Sequence, residues 1–371
     1  MIPSPDHPAR VLVVDDSATA RQLIRALIDD APGLEVCGEA WNGSDAVQKV
    51  LDLAPDLVTM DLQMPVMGGM EAISEIMGDH ATRILVLSDV ADAAHAMAAV
   101  ARGALEATGK PTIDDGPAFT ARLRMLTGVP VIRHLRPRQD QGTAGIAASA
   151  GSAMVAGQAP AQALPLIDDA GAMPRRLVVI AASTGGPQAL AQLLPALPTN
   201  FPVPIVIAQH IADGFAAGMA HWLDTLCALR VSVARHGEQL LPGHVYLADP
   251  ASHLTITAQF TACLVPRVER DVYRPSCDRL LSSAADALGA QVIGVILTGM
   301  GRDGAGGMVA IANAGGVAIA QDEASSVVYG MNREAVASGC VAHVLPLPTI
   351  AAELCSLLRQ PAGTAVHDGA S

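Results

Sequence analysis

The chain has 371 residues, a formal net charge of −13 at neutral pH, and 51% hydrophobic residues, of which only two Trp, three Tyr and four Phe are aromatic. That length accommodates two domains, each able to bury roughly two-thirds of its unfolded surface. The acidic balance and the lack of a basic patch argue against nucleic acid as a partner. No apolar stretch approaches the ~20 residues of a membrane span, and Met1 to Arg10 does not read as a signal peptide, so no membrane insertion is expected. Six cysteines, Cys37, Cys227, Cys263, Cys277, Cys340 and Cys355, include no C-x-x-C pair. Their scatter argues against a metal site or disulfide framework and for a reducing, cytoplasmic setting.

Charge is uneven along the chain: residues 1–128 hold 9 basic and 19 acidic side chains. This part alternates strands and helices. Val11-Leu12-Val13-Val14 predicts a strand ending in Asp15-Asp16, and Ala18 to Ile28 has helical apolar spacing. Leu34-Glu35-Val36 begins a second strand, and Asp56 to Met60 a third, ending at Asp61. Ile84 to Leu87 ends at Ser88, and Gly103-Ala104-Leu105 leads on to Lys110-Pro111. In a parallel α/β sheet the residues beyond the strand carboxyl ends face one crevice. Carboxylates gathered there repel one another unless a divalent cation is bound, and Mg²⁺ favours such oxygen ligands. Taken singly, each strand-end Asp is equally well a turn former.

As a set, these residues resemble a response-regulator receiver domain over about residues 9 to 127. The resemblance implies that Asp61, in Met60-Asp61-Leu62-Gln63-Met64-Pro65, accepts a phosphoryl group from a chemotaxis histidine kinase. Asp15 and Asp16, with Asp61, would bind Mg²⁺; Ser88 would be the switch hydroxyl and Lys110 the phosphate-contacting lysine. Lys110 is one of only two lysines in the chain, the other being Lys49, and a compact ammonium suits an acyl phosphate. The switch aromatic usual shortly before that lysine is Ala107 here. The route by which phosphorylation is transmitted is therefore left open.

Residues 129 to 174 lose all periodicity. Arg133 to Arg138 is basic, and Ala, Gly, Gln, Ser and Pro then alternate up to Pro174 without an aromatic. Such a stretch cannot bury enough apolar surface to offset ordering, so a flexible linker is expected, as is a disordered tail at 361–371.

Leu177-Val178-Val179-Ile180 then predicts a buried strand leading into Ala181-Ala182-Ser183-Thr184-Gly185-Gly186-Pro187. Gln188 to Leu194 has helical spacing, with Pro187 in its first turn. Ser183 thus lies on a tight strand-to-helix turn, close to unpaired N–H groups that can stabilise an oxyanion. It fits either a nucleophile turn, lacking the first Gly of G-x-S-x-G, or a simple helix cap. Val203 to Ala208 runs into Gln209-His210, and Val292 to Thr298 into Gly299-Met300-Gly301-Arg302-Asp303-Gly304. Ser183, His210 and Asp303 form a candidate triad, with His236 after Val231 to Ala234 as a rival base. The glycines at 299, 301 and 304 also match G-x-G-x-x-G, with Asp322 and Glu323 about 20 residues on, the dinucleotide fingerprint. A carboxylate at Asp303 would repel the pyrophosphate in that reading.

The motifs at Ala182 to Gly186, Gln209-His210 with Gly214-Phe215, Pro242 to Tyr246, Arg274-Pro275-Ser276 and Leu297 to Gly304 resemble the CheB protein-glutamate methylesterase family over about residues 175 to 358. The resemblance implies Ser183 as nucleophile, His210 as base and Asp303 as its orienter. Thr184 and Met300 would line the site, the Met300 backbone serving as an oxyanion donor, and His236 would be structural. The esterase half needs no cofactor in this reading. The expected fold is two doubly wound parallel-sheet domains, a flavodoxin-like receiver (1–128) and a Rossmann-like serine methylesterase (175–360). The implied substrates are glutamate γ-methyl esters, and glutamines, on methyl-accepting chemoreceptors. The alternatives are a dinucleotide-binding protein and a regulatory receiver protein without catalysis.

Overall fold

The structure is a computed structural model that describes residues 7–129, 176–268 and 270–359. The predicted linker, apart from Val129, and the predicted tail lie outside the described residues.

The first domain contains β1 (Ala9–Val14), α1 (Ala18–Asp29), β2 (Leu34–Ala40), α2 (Gly43–Leu53), β3 (Leu57–Asp61), α3 (Gly69–Asp79), β4 (Arg83–Leu87), α4 (Ala93–Ala101), β5 (Glu106–Thr108) and α5 (Gly116–Thr127). Its five strands are all parallel in the order β2-β1-β3-β4-β5. β1, β3 and β4 are buried almost throughout, as expected of strands covered on both faces. Ser17 and Asn42 cap α1 and α2 by accepting from the backbone N–H groups of Ala20 and Asp45, each satisfying one orphan donor of the first turn. The fifth strand lies later than the sequence pattern predicts. Gly103 takes φ 115° and ends the turn after α4, Leu105 donates its N–H to the Ile84 carbonyl, and the ladder proper begins at Glu106, with Ala107 opposite Val86.

The second domain contains β6 (Leu177–Ala182), α6 (Gly186–Leu193), β7 (Ile205–Gln209), α7 (Ala216–Leu226), β8 (Arg230–Val233), β9 (His244–Leu247), β10 (Ser252–Ile256), β11 (Ala262–Pro266), α8 (Cys277–Leu288), β12 (Val292–Ile296), α9 (Ala305–Asn313), β13 (Val317–Gln321), α10 (Met331–Ala337), β14 (His343–Leu345) and α11 (Leu347–Arg359). Seven strands form a parallel sheet in the order β14-β13-β12-β6-β7-β9-β8, and β10 and β11 pair separately as an antiparallel hairpin. The chain runs outward from β6 through β7 and then returns to β12 on the other side. That reversal makes β6 the switch point, where ligands of open parallel sheets bind.

The two domains share an apolar seam. Ala93, Ala96, Met97 and Val100 of α4 belong to the same buried cluster as Leu190 of α6 and Phe215, Met219 and Leu223 beside and within α7. A Cβ on Gly218 would lie 2.6 Å from the backbone of Ala93, so the helices meet at near-backbone distance.

Candidate functional site

The turn after β6 is held by bonds to the neighbouring strands. Ser183 donates its N–H to the Thr298 carbonyl just beyond β12 and accepts at its own carbonyl from Gly186 N–H and from the Gln209 side-chain amide. That amide also reaches the His210 carbonyl at 2.8 Å, tying together the residues that end β6 and β7. A Cβ on Gly186 would stand 1.9 Å from Gln209 Oε1, so only glycine fits there. Gly299 is equally constrained: its Cβ would meet Ser183 Cβ at 2.8 Å and Met331 Sδ at 2.4 Å. The cap of α6 is Gly185, in the left-handed region, with no side-chain bond. Capping therefore does not account for Ser183.

His210 and Asp303 meet directly, Nε2 lying 2.8 Å from Asp303 Oδ2. Asp303 is buried and surrounded by donors: the backbone N–H groups of Cys277 (2.7 Å) and Asp278 (3.0 Å) and the Ser276 hydroxyl (3.2 Å). These come from the first turn of α8, whose N-terminal dipole favours a negative charge. Burial pushes the Asp303 carboxyl upward, but the His210 hydrogen bond and charge and the two backbone donors outweigh it and leave it below the usual range. Tyr273 stacks on the imidazole with centroids 5.2 Å apart and planes 12° apart. Asp278 in turn accepts from the N–H groups of Gly304 (3.0 Å) and Gly307 (2.7 Å), fastening the turn that carries Asp303.

Ser183, His210 and Asp303 follow β6, β7 and β12, three adjacent strands. His236, the rival base, is exposed and accepts from Leu264 N–H on β11. Met300 is exposed at the turn, and no hydrogen bond takes up its N–H among the described residues. The Thr184 hydroxyl points across the domain boundary and donates to Glu106 Oε1 at 2.5 Å. The dinucleotide reading finds no support. Asp322 is bound into the turn at Ser325, Asp303 is bound to His210, and a Cβ on Gly301 would lie 3.1 Å from the Tyr273 hydroxyl.

In the first domain, carboxylate oxygens of Asp15, Asp16 and Asp61 fall within 4.8 Å of one another at the carboxyl ends of β1 and β3. Lys110 Nζ lies 2.8 Å from Asp15 and 3.2 Å from Asp61. Burial, opposed by Lys110 and reinforced by Asp15, raises the Asp61 carboxyl. Lys110 is raised in turn, because bonds to the two aspartates outweigh its own burial. This set of hard oxygen donors, whose mutual repulsion Lys110 offsets only in part, fits a Mg²⁺ ion. Ser88 is buried nearby and donates its N–H to Thr108 on β5.

The sequence alone does not single out Glu106, Tyr273, Asp278 or the side chain of Cys277, and it marks Gln209 only as part of a motif, without its role in the turn. The first four act on residues far away in sequence, and no local spacing marks them.

Comparison with known proteins agrees with both halves. The CheB methylesterase family model matches residues 178–354, and the response regulator receiver domain model matches 11–124. A protein-glutamate methylesterase/protein-glutamine glutaminase from Paramagnetospirillum magneticum is 46% identical over 371 residues, covering 96% of this chain and 99% of the relative. One from Anaeromyxobacter dehalogenans is 42% identical over 359 residues, covering 95% and 98%. The crystal structure of the Thermotoga maritima CheB methylesterase catalytic domain is 39% identical, with a TM-score of 0.48, covering 49% of this chain and 98% of that one. Identity of this order along nearly the whole length, with both domain models in place, means that the chain belongs to the protein-glutamate methylesterase/protein-glutamine glutaminase family.

Proposed function

We propose that this chain removes methyl groups from glutamate γ-methyl esters, and deamidates glutamines, on chemoreceptors in the cytoplasm, with Ser183 as nucleophile, His210 as base and Asp303 as orienter. The observation that carries this reading is the His210–Asp303 pair, 2.8 Å apart, from the two strands that flank the one leading into Ser183. With Nε2 committed to Asp303, Nδ1 is the nitrogen that takes the Ser183 proton. The serine oxygen attacks the ester carbonyl, the protonated ring returns the proton to departing methanol, and water resolves the acyl-enzyme by the same steps. The Met300 N–H stabilises the oxyanion. The six scattered cysteines include no C-x-x-C pair, the pattern that suits a reducing compartment.

In the receiver, Asp61 takes the phosphoryl group from a histidine kinase, Asp15, Asp16 and Asp61 hold Mg²⁺, and Ser88 and Lys110 contact the phosphoryl oxygens. Bound Mg²⁺ offsets the charge that otherwise accumulates between carboxylates and phosphoryl group. The docked receiver restrains the esterase through α4 and Glu106, and phosphorylation loosens it. The test is methanol release from methylated receptor. Ser183→Ala should lose several orders of magnitude, and His236→Ala should change little. An inactive His236→Ala beside an active His210→Ala would overturn the choice of base. Labelling by a small phosphodonor should need Mg²⁺ and vanish in Asp61→Asn.

A further inference from the structure

Beside the His210–Asp303 pair lies a third donor that the esterase reaction does not use. Cys277 Sγ is 3.6 Å from His210 Nε2, and donor atoms of His210, Asp303 and Cys277 all fall within 4.8 Å of one another. They come from three separate elements: the end of β7, the turn after β12 and the start of α8. Zinc binds imidazole nitrogen at about 2.0–2.1 Å and thiolate sulfur at about 2.3 Å. An ion at those distances spans the observed nitrogen–sulfur separation with an angle of about 110°, the tetrahedral value. The nitrogen–carboxylate separation of 2.8 Å has to open by about half an ångström, a rotation of one carboxylate. One carboxylate and one thiolate would balance the charge of a divalent ion.

We propose that His210, Asp303 and Cys277 form a binding site for a soft divalent cation such as Zn²⁺, and that its occupation switches the esterase off. The second half rests on the role of His210 as base proposed above. In the active form the ring carries its proton on Nε2, toward Asp303, and presents the Nδ1 lone pair to Ser183. The ion takes the Nε2 lone pair, so that proton moves to Nδ1, and the Cys277 thiol gives up its own proton to solvent. One proton leaves for each ion bound, and nothing is oxidised or reduced. With Nδ1 protonated, the ring cannot accept the serine proton. Without an ion the thiol stays protonated, because burial and the charge of Asp303 push it well above its ordinary range. The bland alternative is that Cys277 is a buried small hydrophobe whose thiol donates to the Ala208 carbonyl at 3.4 Å.

Cobalt(II) titration of the full-length chain separates the two. The expected result is a near-ultraviolet thiolate-to-cobalt charge-transfer band with the visible bands of a tetrahedral ion, retained in Ser183→Ala and lost in Cys277→Val. An ion held only by the receiver carboxylates gives no thiolate band. In parallel, esterase rates with Zn²⁺ are each divided by the same variant's metal-free rate. Wild type should fall at least about tenfold and recover with chelator, while Cys277→Val should fall much less at the same concentration. Identical cobalt spectra in wild type and Cys277→Val would overturn the site. A Cys277-dependent band without inhibition would keep the site and count instead against His210 as the base.

Discussion

The hydrogen bond from Thr184 to Glu106 joins the residue after Ser183 to β5, two strands from the one that ends at Asp61, and Glu106→Ala measures what it contributes. Glu106 is buried, accepts from Thr184 at 2.5 Å and pairs with Arg122 at 2.6 Å. A hydrogen bond to a charged group contributes about 1.5–3 kcal/mol. The Arg122 pair adds little, since its guanidinium is 32% exposed and rehydrates on release. Removing the carboxylate should thus weaken docking by about 2 kcal/mol, a factor of roughly 30 in the ratio of docked to released receiver. If the docked form is the restrained one, methanol release without phosphodonor should rise by on the order of tenfold, up to the rate of the phosphorylated protein. Phosphodonor and Mg²⁺ should then add little. Circular dichroism melting establishes that the receiver of the variant is folded. A folded Glu106→Ala protein with the wild-type basal rate and the wild-type response to phosphodonor would refute the idea that this contact restrains the esterase. The position is apt for a relay. Ser88 donates its backbone N–H to the Thr108 carbonyl, two residues along β5 from Glu106, so a shift of the main chain at Ser88 would be carried to the strand holding Glu106, even with Ala107 in place of an aromatic.

Four further outcomes are expected. Asp303→Asn should lower kcat by about 10⁴, as in the serine proteases, with substrate binding largely kept; steady-state kinetics decide. The Asp303 carboxyl is held below its unfolded value, so its contribution to stability is present above the unfolded pKa and lost as pH falls through the folded one; acid melts of Asp303→Asn should be less steep in that range. Asp61 is raised by burial and Asp15, so its ionised form opposes folding at neutral pH and is relieved only in acid; Asp61→Asn should melt a few degrees higher at pH 7 without Mg²⁺, and a lower melting temperature would refute this. Asp278 is also raised by burial and by Asp303 while accepting from the N–H groups of Gly304 and Gly307; Asp278→Asn should keep stability, whereas Asp278→Ala should lose about 1–3 kcal/mol in denaturant melts.

Much of this architecture is legible from local pattern. Short β-branched runs ending in Asp15, Asp61, Ser88, Ser183, His210 and the turn of Asp303 mark the carboxyl edges of two parallel sheets, because a strand buried on both faces needs an apolar run and the polar residue ends it. The fifth strand is less legible: Glu106-Ala107-Thr108 has no apolar run of its own, and the apolar Ala104-Leu105 before it draws the prediction too early. Other features depend on contacts between distant segments. Cys277 looks like a small hydrophobe in its helix, and only the approach of β7 and the β12 turn brings it to His210. Glu106 reads as one more acidic residue of a receiver until the second domain sets Thr184 against it. Spacing along the chain also cannot tell which imidazole nitrogen meets Asp303; the packing of α8 against the turn after β12 decides that.

Ser183 and His210 directly follow β6 and β7, which pair side by side in one sheet. Neighbouring strands repeat at about 4.8 Å whatever their side chains, so the placing of these two residues is inherited from main-chain pairing, whereas Asp303, beyond β12, is brought to His210 by the backbone N–H groups that open α8. Loops at the rim can then diverge widely in sequence, altering which helix of which receptor is admitted, while the distances over which protons move stay fixed. Such a scaffold lets a lineage of enzymes change customers without relearning the reaction.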